Sequence, residues 1–137
     1  MNLTVVNPRR GVADYSIVPV GADKVSSLAA ELRARQRAWL EQGAEGRASS
    51  LRRLAESIAR HREALVAALI DDTGRAGLSS IEVDSVIGML NRWTQSAPSL
   101  IARYQASGQG TAIPSVTTST RLVPYSLVGV ISPWNFP

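Results

Sequence analysis

The 137-residue chain contains no cysteine, one lysine (Lys24), one histidine (His61) and one phenylalanine (Phe136). The missing thiol excludes a disulfide framework, a thiolate metal centre and a cysteine nucleophile from these residues. The single histidine has no cysteine or carboxylate beside it at metal-ligand spacing, so His61 reads as a solvated surface residue. Long apolar runs are also lacking: "ALVAALI" at 64–70 falls far short of the about 20 residues a membrane-spanning helix needs, and "MNLTVVNPRR" has no signal-peptide pattern. The default expectation is a soluble, cytoplasmic protein.

With 45% hydrophobic and 19% charged residues, the chain has enough apolar surface to fold, and its length suits one domain. The net charge of +4 is carried almost entirely by arginine. Arg52-Arg53 and Arg60-His61-Arg62 sit in amphipathic helical patterns, where a solvated helix face explains them. Neither nucleic acid nor membrane is the expected partner, although a small basic helical nucleic-acid binder is a third, weaker reading.

Proline and β-branched residues divide the chain. In residues 1–21, "LTVVNP" and "YSIVPV" read as an arm or edge strands with turns. A first helix is expected from Asp23 as N-cap, with Val25, Leu28, Ala29, Leu32, Gln36, Trp39 and Leu40 on one buried face, ended by Gly43. A second runs from about Glu45, turning Leu51, Leu54, Ala55 and Ile58 inward. A third, or a continuation, carries Leu65, Ala68 and Leu69 and stops at "DDTGR", where Gly74 suits a left-handed C-cap. Asp71 and Asp72 point in different directions, a poor acid/base pair, and helix-end hydration is their expected role. Ser79 and Glu82 have capping-box spacing at the head of a fourth helix with Val83, Val86, Ile87, Leu90 and Trp93 on its stripe; Pro98 kinks or restarts it. Core packing is the expected role of Trp39 and Trp93.

From Ala106 the pattern changes. "SGQGTAI" contains Gly-x-Gly but lacks the preceding strand, third glycine and following helix of a dinucleotide loop, so it reads as a hinge. "TAIPSVTTSTRLVPYSLVGVIS" reads as extended strands, the last of them buried. Helices covering a sheet whose other strands are absent is the architecture this order implies. Apolar helix faces left without those strands imply poor solubility.

The last stretch, "PWNFP", holds Trp134, Asn135 and Phe136 between two prolines just past a strand, where open α/β sheets place ligands. Read functionally, Asn135 offers its amide N–H to a developing negative charge and Trp134 a flat apolar wall. Read structurally, the aromatic residues plug a turn.

The order of these pieces resembles the N-terminal portion of the aldehyde dehydrogenase superfamily over essentially the whole chain. "VNPRRG" looks like the family's Asn-Pro arm, with Arg-Arg where a Thr-Gly-type turn is more usual. "RARQRAW" and "RRLAESIARHREALVAALIDDTGR" are similar to its helices and Glu-Thr-Gly-Lys-Pro turn, with Ala76 replacing the proline. "EVDSVI" fits the next helix, and "LVPYSLVGVISPWNFP" fits the strand running into Pro-Trp-Asn-Phe-Pro, five identical residues in register.

The resemblance implies an α/β fold: an incomplete Rossmann-like cofactor-binding domain, mostly helical in this stretch, with a β-hairpin oligomerisation segment. It divides the chain into arm and helical part (1–110), hairpin (111–128) and the start of the cofactor-binding strand with the active-site loop (129–137). It implies oxidation of an aldehyde to a carboxylic acid with NAD or NADP as cofactor. Asn135 is then the oxyanion donor, Ile131, Ser132, Pro133 and Trp134 line the nicotinamide cofactor, and residues 111–126 mediate homo-oligomerisation. The family's nucleophilic cysteine, general-base glutamate and phosphate-binding loop lie later in its chain, so a fragment inactive by itself is expected. The alternative is a non-catalytic helical and β-ribbon module that pairs with an intact homologue through the 111–126 ribbon, by strand addition at an exposed edge.

Overall fold

In the computed structural model, the residues described are 2–105, 109–110, 116–118 and 123–133. Strands β1 (Leu3–Val6) and β2 (Ala13–Ile17) form an antiparallel hairpin with a register irregularity between Val5 and Val6. Four helices follow: α1 (Ala22–Glu41), α2 (Gly43–Arg60), α3 (Arg62–Thr73) and α4 (Ser79–Gln105). Two residues each of β3 (Gln109–Gly110) and β4 (Thr117–Thr118) pair antiparallel. The chain is thus mostly helical with antiparallel hairpins, as the order of its motifs implied. Gln109–Gly110, expected to be hinge, is the ladder partner of Thr117–Thr118.

Two glycines set the helix boundaries. Gly43 has a φ of +67°, which lets α1 break sharply into α2, and Gly74 ends α3 with a φ of +72°, its N–H donated to Ile70 O at 2.9 Å. Both are left-handed conformations that cost an L-residue with a Cβ about 1–2 kcal/mol.

The core lies where α2 runs along α4, the most extensive helix pair. It is narrow, since the fully buried apolar residues are Ala48, Ala55 and Val83. Small side chains on α2 let the helices approach closely. Arg62, at the start of α3, donates from Nε and Nη2 to both carboxylate oxygens of Asp84 on α4, each at 2.7 Å. That bidentate pairing holds the Asp84 carboxyl below its ordinary value.

Several local expectations are corrected. The cap of α1 is Gly21, with no side-chain hydrogen bond, because Asp23 already lies inside the first turn. The capping box at Ser79 and Glu82 does not form: Ser79 Oγ donates back to Arg75 O at 2.8 Å, and the Glu82 carboxylate takes Arg75 Nη1 at 3.2 Å. Pro98 lies inside α4, so the helix does not restart there. The stripe of α1 buries no residue, because α2 is the only helix it packs against extensively, and Trp93 stays 56% exposed.

Asp71 and Asp72 are not merely hydrated. Asn7 Nδ2 donates to Asp71 Oδ1 at 3.2 Å, and Tyr15 Oη donates to Asp72 Oδ1 at 2.9 Å, so the adjacent carboxylates at the end of α3 hold the hairpin at two places, its turn and β2. Asn7 is only 1% exposed, and its Oδ1 accepts the backbone N–H groups of Arg9 and Arg10 at 3.0 and 3.1 Å. Its own N–H goes to Val12 O and its carbonyl receives Gly11 N–H. Both polar atoms of this buried side chain have partners, which is what makes its burial affordable.

Pro8 lies against Gly74, and a Cβ built there would meet Pro8 Cγ at 3.2 Å. Asn7→Ala strips the turn of its acceptor and is expected to destabilise the chain by about 1–3 kcal/mol; Gly74→Ala is expected to cost about 1–2 kcal/mol from backbone strain alone. Urea denaturation measures both, and an unchanged midpoint for Asn7→Ala would show that the junction contributes nothing to stability.

The hydrogen bond to Asp72 raises the Tyr15 phenol above its ordinary value, with desolvation and the charges of Asp72 and Asp14 adding to the effect. A folded-state pKa above the unfolded one means the contact is fully present below about pH 10 and is lost as pH rises through the raised value. Ultraviolet titration should therefore show one late-ionising tyrosine that disappears in Tyr15→Phe and moves back down in Asp72→Asn. A Tyr15 that ionises at the ordinary value would rule the contact out in solution.

Candidate functional site

Residues 123–133 carry the chain from the helical body toward "PWNFP". Val123 and Pro124 line a groove of about 620 Å³ whose other walls are Leu40, Gly43, Ala44 and Arg47 at the α1–α2 corner and Trp93, Ala97, Leu100, Ile101 and Tyr104 on α4. Arg47 Nη1 donates to Leu40 O at 3.3 Å, so the guanidinium also bridges that corner. Trp93 and Tyr104, both largely exposed, give the groove an aromatic lining on α4.

Among the described residues beyond Pro124, only Leu127 is half-buried. Val130 is 82% and Ile131 100% exposed, and no strand is formed over 123–133. The expected buried strand is therefore not found here. An extended segment becomes a strand through ladder hydrogen bonds, and no described residue pairs with this one. Its continuous apolar run, Leu127, Val128, Val130 and Ile131, suits a strand covered on both faces; here both faces are open.

Of the expected site residues, Ile131, Ser132 and Pro133 follow one another on this exposed stretch. Trp134 and Asn135 lie outside the described residues, as does most of the 111–126 ribbon. Ile131 presents its whole apolar side chain to solvent. No cluster of three metal-ligating side chains exists among the described residues, and no described helix is long and apolar enough to cross a membrane.

His61 is exposed at the α2–α3 corner, its Nδ1 2.8 Å from Ser57 O.

Sequence reasoning missed the junction of Asn7, Tyr15, Asp71 and Asp72 and the Arg75–Glu82 pair. The first joins residues 57 and 64 positions apart, and no periodicity reports such a contact. A signal did exist in "VNPRRG" and "DDTGR", two turn motifs that the fold sets against each other.

These features agree with what similarity to known proteins shows. The family model described as aldehyde dehydrogenase family matches residues 1–137. The solved structure of PutA from Anabaena variabilis, an assigned aldehyde dehydrogenase, superposes with a TM-score of 0.92 at 41% identity, covering 100% of this chain and 29% of that one. A Mycolicibacterium smegmatis protein carrying the assigned name succinate-semialdehyde dehydrogenase, NADP(+), is 33% identical over 128 residues, 90% of this chain and 24% of its own length. Geranial dehydrogenase of Castellaniella defragrans is 32% identical over 108 residues, 75% of this chain and 21% of its own. The chain belongs to the aldehyde dehydrogenase family, and it spans about a quarter of the length of these relatives.

The exposure of the segment has a measurable consequence. Ile131→Ser is expected to leave the stability of the 137-residue chain within about 0.5 kcal/mol of the parent, as for surface substitutions generally. A larger loss in thermal denaturation would mean that Ile131 is packed after all.

Proposed function

We propose that this chain is the N-terminal portion of an NAD(P)-dependent aldehyde dehydrogenase that oxidises an aldehyde to a carboxylic acid, and that it supplies the oxyanion donor and part of the cofactor wall. The observation that carries the reading is the "PWNFP" motif, ending a chain matched to the family over its full 137 residues. In this reading the side-chain amide of Asn135 donates to the oxygen that becomes negative when a thiolate attacks the aldehyde carbon. A fixed donor is effective there because it is already oriented when the charge appears.

Ile131, Ser132, Pro133 and Trp134 flank the cofactor and keep water from one side of it. The nicotinamide cofactor, when bound, supplies the two-electron acceptor for the oxidation. Names of relatives include both an NADP-linked protein and dehydrogenases of different aldehydes, which supports a nicotinamide cofactor and leaves the aldehyde open.

No cysteine occurs in these 137 residues, so the covalent step has no nucleophile on this chain and the chain alone is inactive in this reading. The ribbon at 111–126 joins subunits of a homo-oligomer, and the cytoplasm is the proposed location. A second reading, a non-catalytic module that pairs with an intact homologue, is favoured by the exposed, unpaired stretch 123–133, which is open to strand addition. Co-migration with an intact relative in size-exclusion chromatography, without any gain of activity, is its signature.

The test of the main reading grafts residues 1–137 in place of the matching part of PutA from Anabaena variabilis. The graft should oxidise aldehydes with reduction of NAD or NADP, and Asn135→Ala within it should lower kcat by on the order of 10² to 10³. An active graft whose turnover ignores Asn135→Ala removes the oxyanion assignment; a graft that folds but never turns over removes the dehydrogenase reading.

A further inference from the structure

The groove between the α1–α2 corner and α4 has no role in the function proposed above, and none of residues 131–133 lines it. Its walls come from three separate places in this chain, the helix corner, α4, and Val123 with Pro124. At about 620 Å³ it falls within the roughly 300–1,000 Å³ of small-molecule sites. Leu40, Trp93, Leu100 and Tyr104 on its walls are all exposed, so it is reached from solvent.

One charge borders this apolar surface. Arg47 on α2 is half-buried, and among the described residues its guanidinium makes a single hydrogen bond, the one to Leu40 O at 3.3 Å, and no ion pair. Glu41, at the same corner, is held by Arg37 at 2.9 Å, and Glu45, two positions before Arg47 on one helix, projects from a different face. A guanidinium carries five N–H donors, so most of those of Arg47 have no protein partner. The other lining side chains with polar atoms are Trp93, which only donates, and Tyr104, which donates or accepts; no carboxylate lines the groove.

We propose that this groove binds a free, medium-chain aliphatic monocarboxylate, its head group paired with Arg47 and its chain against α4. The head is a carboxylate because the planar fork of one guanidinium matches two carboxylate oxygens. A phosphate monoester would bring a second negative charge with no cation left among the lining residues to meet it. The body is aliphatic because most of the lining is alanine, leucine, isoleucine, valine and proline.

Octanoate and 1-octanol are the probes, equal in chain length and different in charge. Each is titrated into the 137-residue chain while the methyl resonances of Leu40, Leu100, Ile101 and Val123 are followed by NMR. Octanoate should give saturable shifts confined to these methyls, with a dissociation constant on the order of 0.1–1 mM, and 1-octanol should bind about tenfold more weakly. A groove that is merely apolar gives the opposite order, because a charged head is then the costlier one to desolvate. Arg47→Gln should remove the advantage of octanoate and leave the 1-octanol shifts in place, which also shows that the variant is folded. Calorimetry on the graft of residues 1–137 into PutA should find the same dependence of octanoate binding on Arg47; its loss there means that later segments of the protein occupy the groove, and overturns the proposal. A dimer in sedimentation velocity that octanoate dissociates assigns the groove to a second copy of the chain and overturns it too. So does equal or tighter binding of 1-octanol, or the absence of shifts with octanoate.

Discussion

The contact on which the N-terminal third depends is the burial of Asn7 against the end of α3. A side-chain amide is expensive to bury, and this one is tolerated because both its polar atoms have partners: two backbone N–H groups of its own turn meet Oδ1, and Nδ2 meets Asp71. The same side chain thereby shapes the turn and ties it to α3. Pro8 then packs closely on the residue that ends α3, where a Cβ would be a tight fit, and that residue is a glycine for its own left-handed conformation. One residue type thus serves two constraints, the helix stop and the close approach of the arm.

The helical body shows the opposite economy. Its fully buried apolar residues are two alanines and a valine, while Val25, Leu28, Leu32, Leu40 and Val86 remain exposed. Small residues at the α2–α4 contact place the backbones close together, and the larger side chains are left at the margins facing outward. A helix whose apolar stripe meets water is not at its most stable arrangement, and residues 127–131 repeat the pattern in extended form. Both observations fit a stretch that matches about a quarter of the length of its relatives and superposes on a larger folded protein with its own helices already in place.

The sequence made the four helices and the N-terminal hairpin legible because each rests on local chemistry: three-and-four spacing of apolar residues, and glycines at 43 and 74. It misled wherever the deciding partner was distant. Asp71 and Asp72 look like a hydrated helix end until a hairpin over 50 residues earlier docks on them. Ser79 and Glu82 have the spacing of a capping box, yet an arginine four residues before Ser79 claims the glutamate, and a charged partner in a buried setting outcompetes a backbone N–H. Apolar spacing identified the stripe of α1 correctly and its burial wrongly, since periodicity says which face is apolar and not whether anything covers it. For the site the split is similar. Likeness alone proposes roles for Ile131 to Asn135, while the exposure of Ile131 and the absence of a ladder among the described residues could only come from the fold.

The residue types of the last ten positions also constrain how labour is divided in the chemistry proposed. Asparagine is neutral at every physiological pH, donates without losing a proton, and so stabilises a developing oxyanion without competing to protonate it. Proline on either side removes backbone freedom, which is what a fixed donor requires, because a donor that must reorient during the reaction gives back part of its advantage. The one hydroxyl among them, Ser132, has no base within these ten residues to activate it, and no other side chain here can attack a carbonyl or remove a proton near neutral pH. A stretch rich in donors and apolar walls and poor in nucleophiles and bases acts on the charge that forms and not on the bond-making itself, so its contribution should appear in kcat while the identity of the aldehyde is read elsewhere.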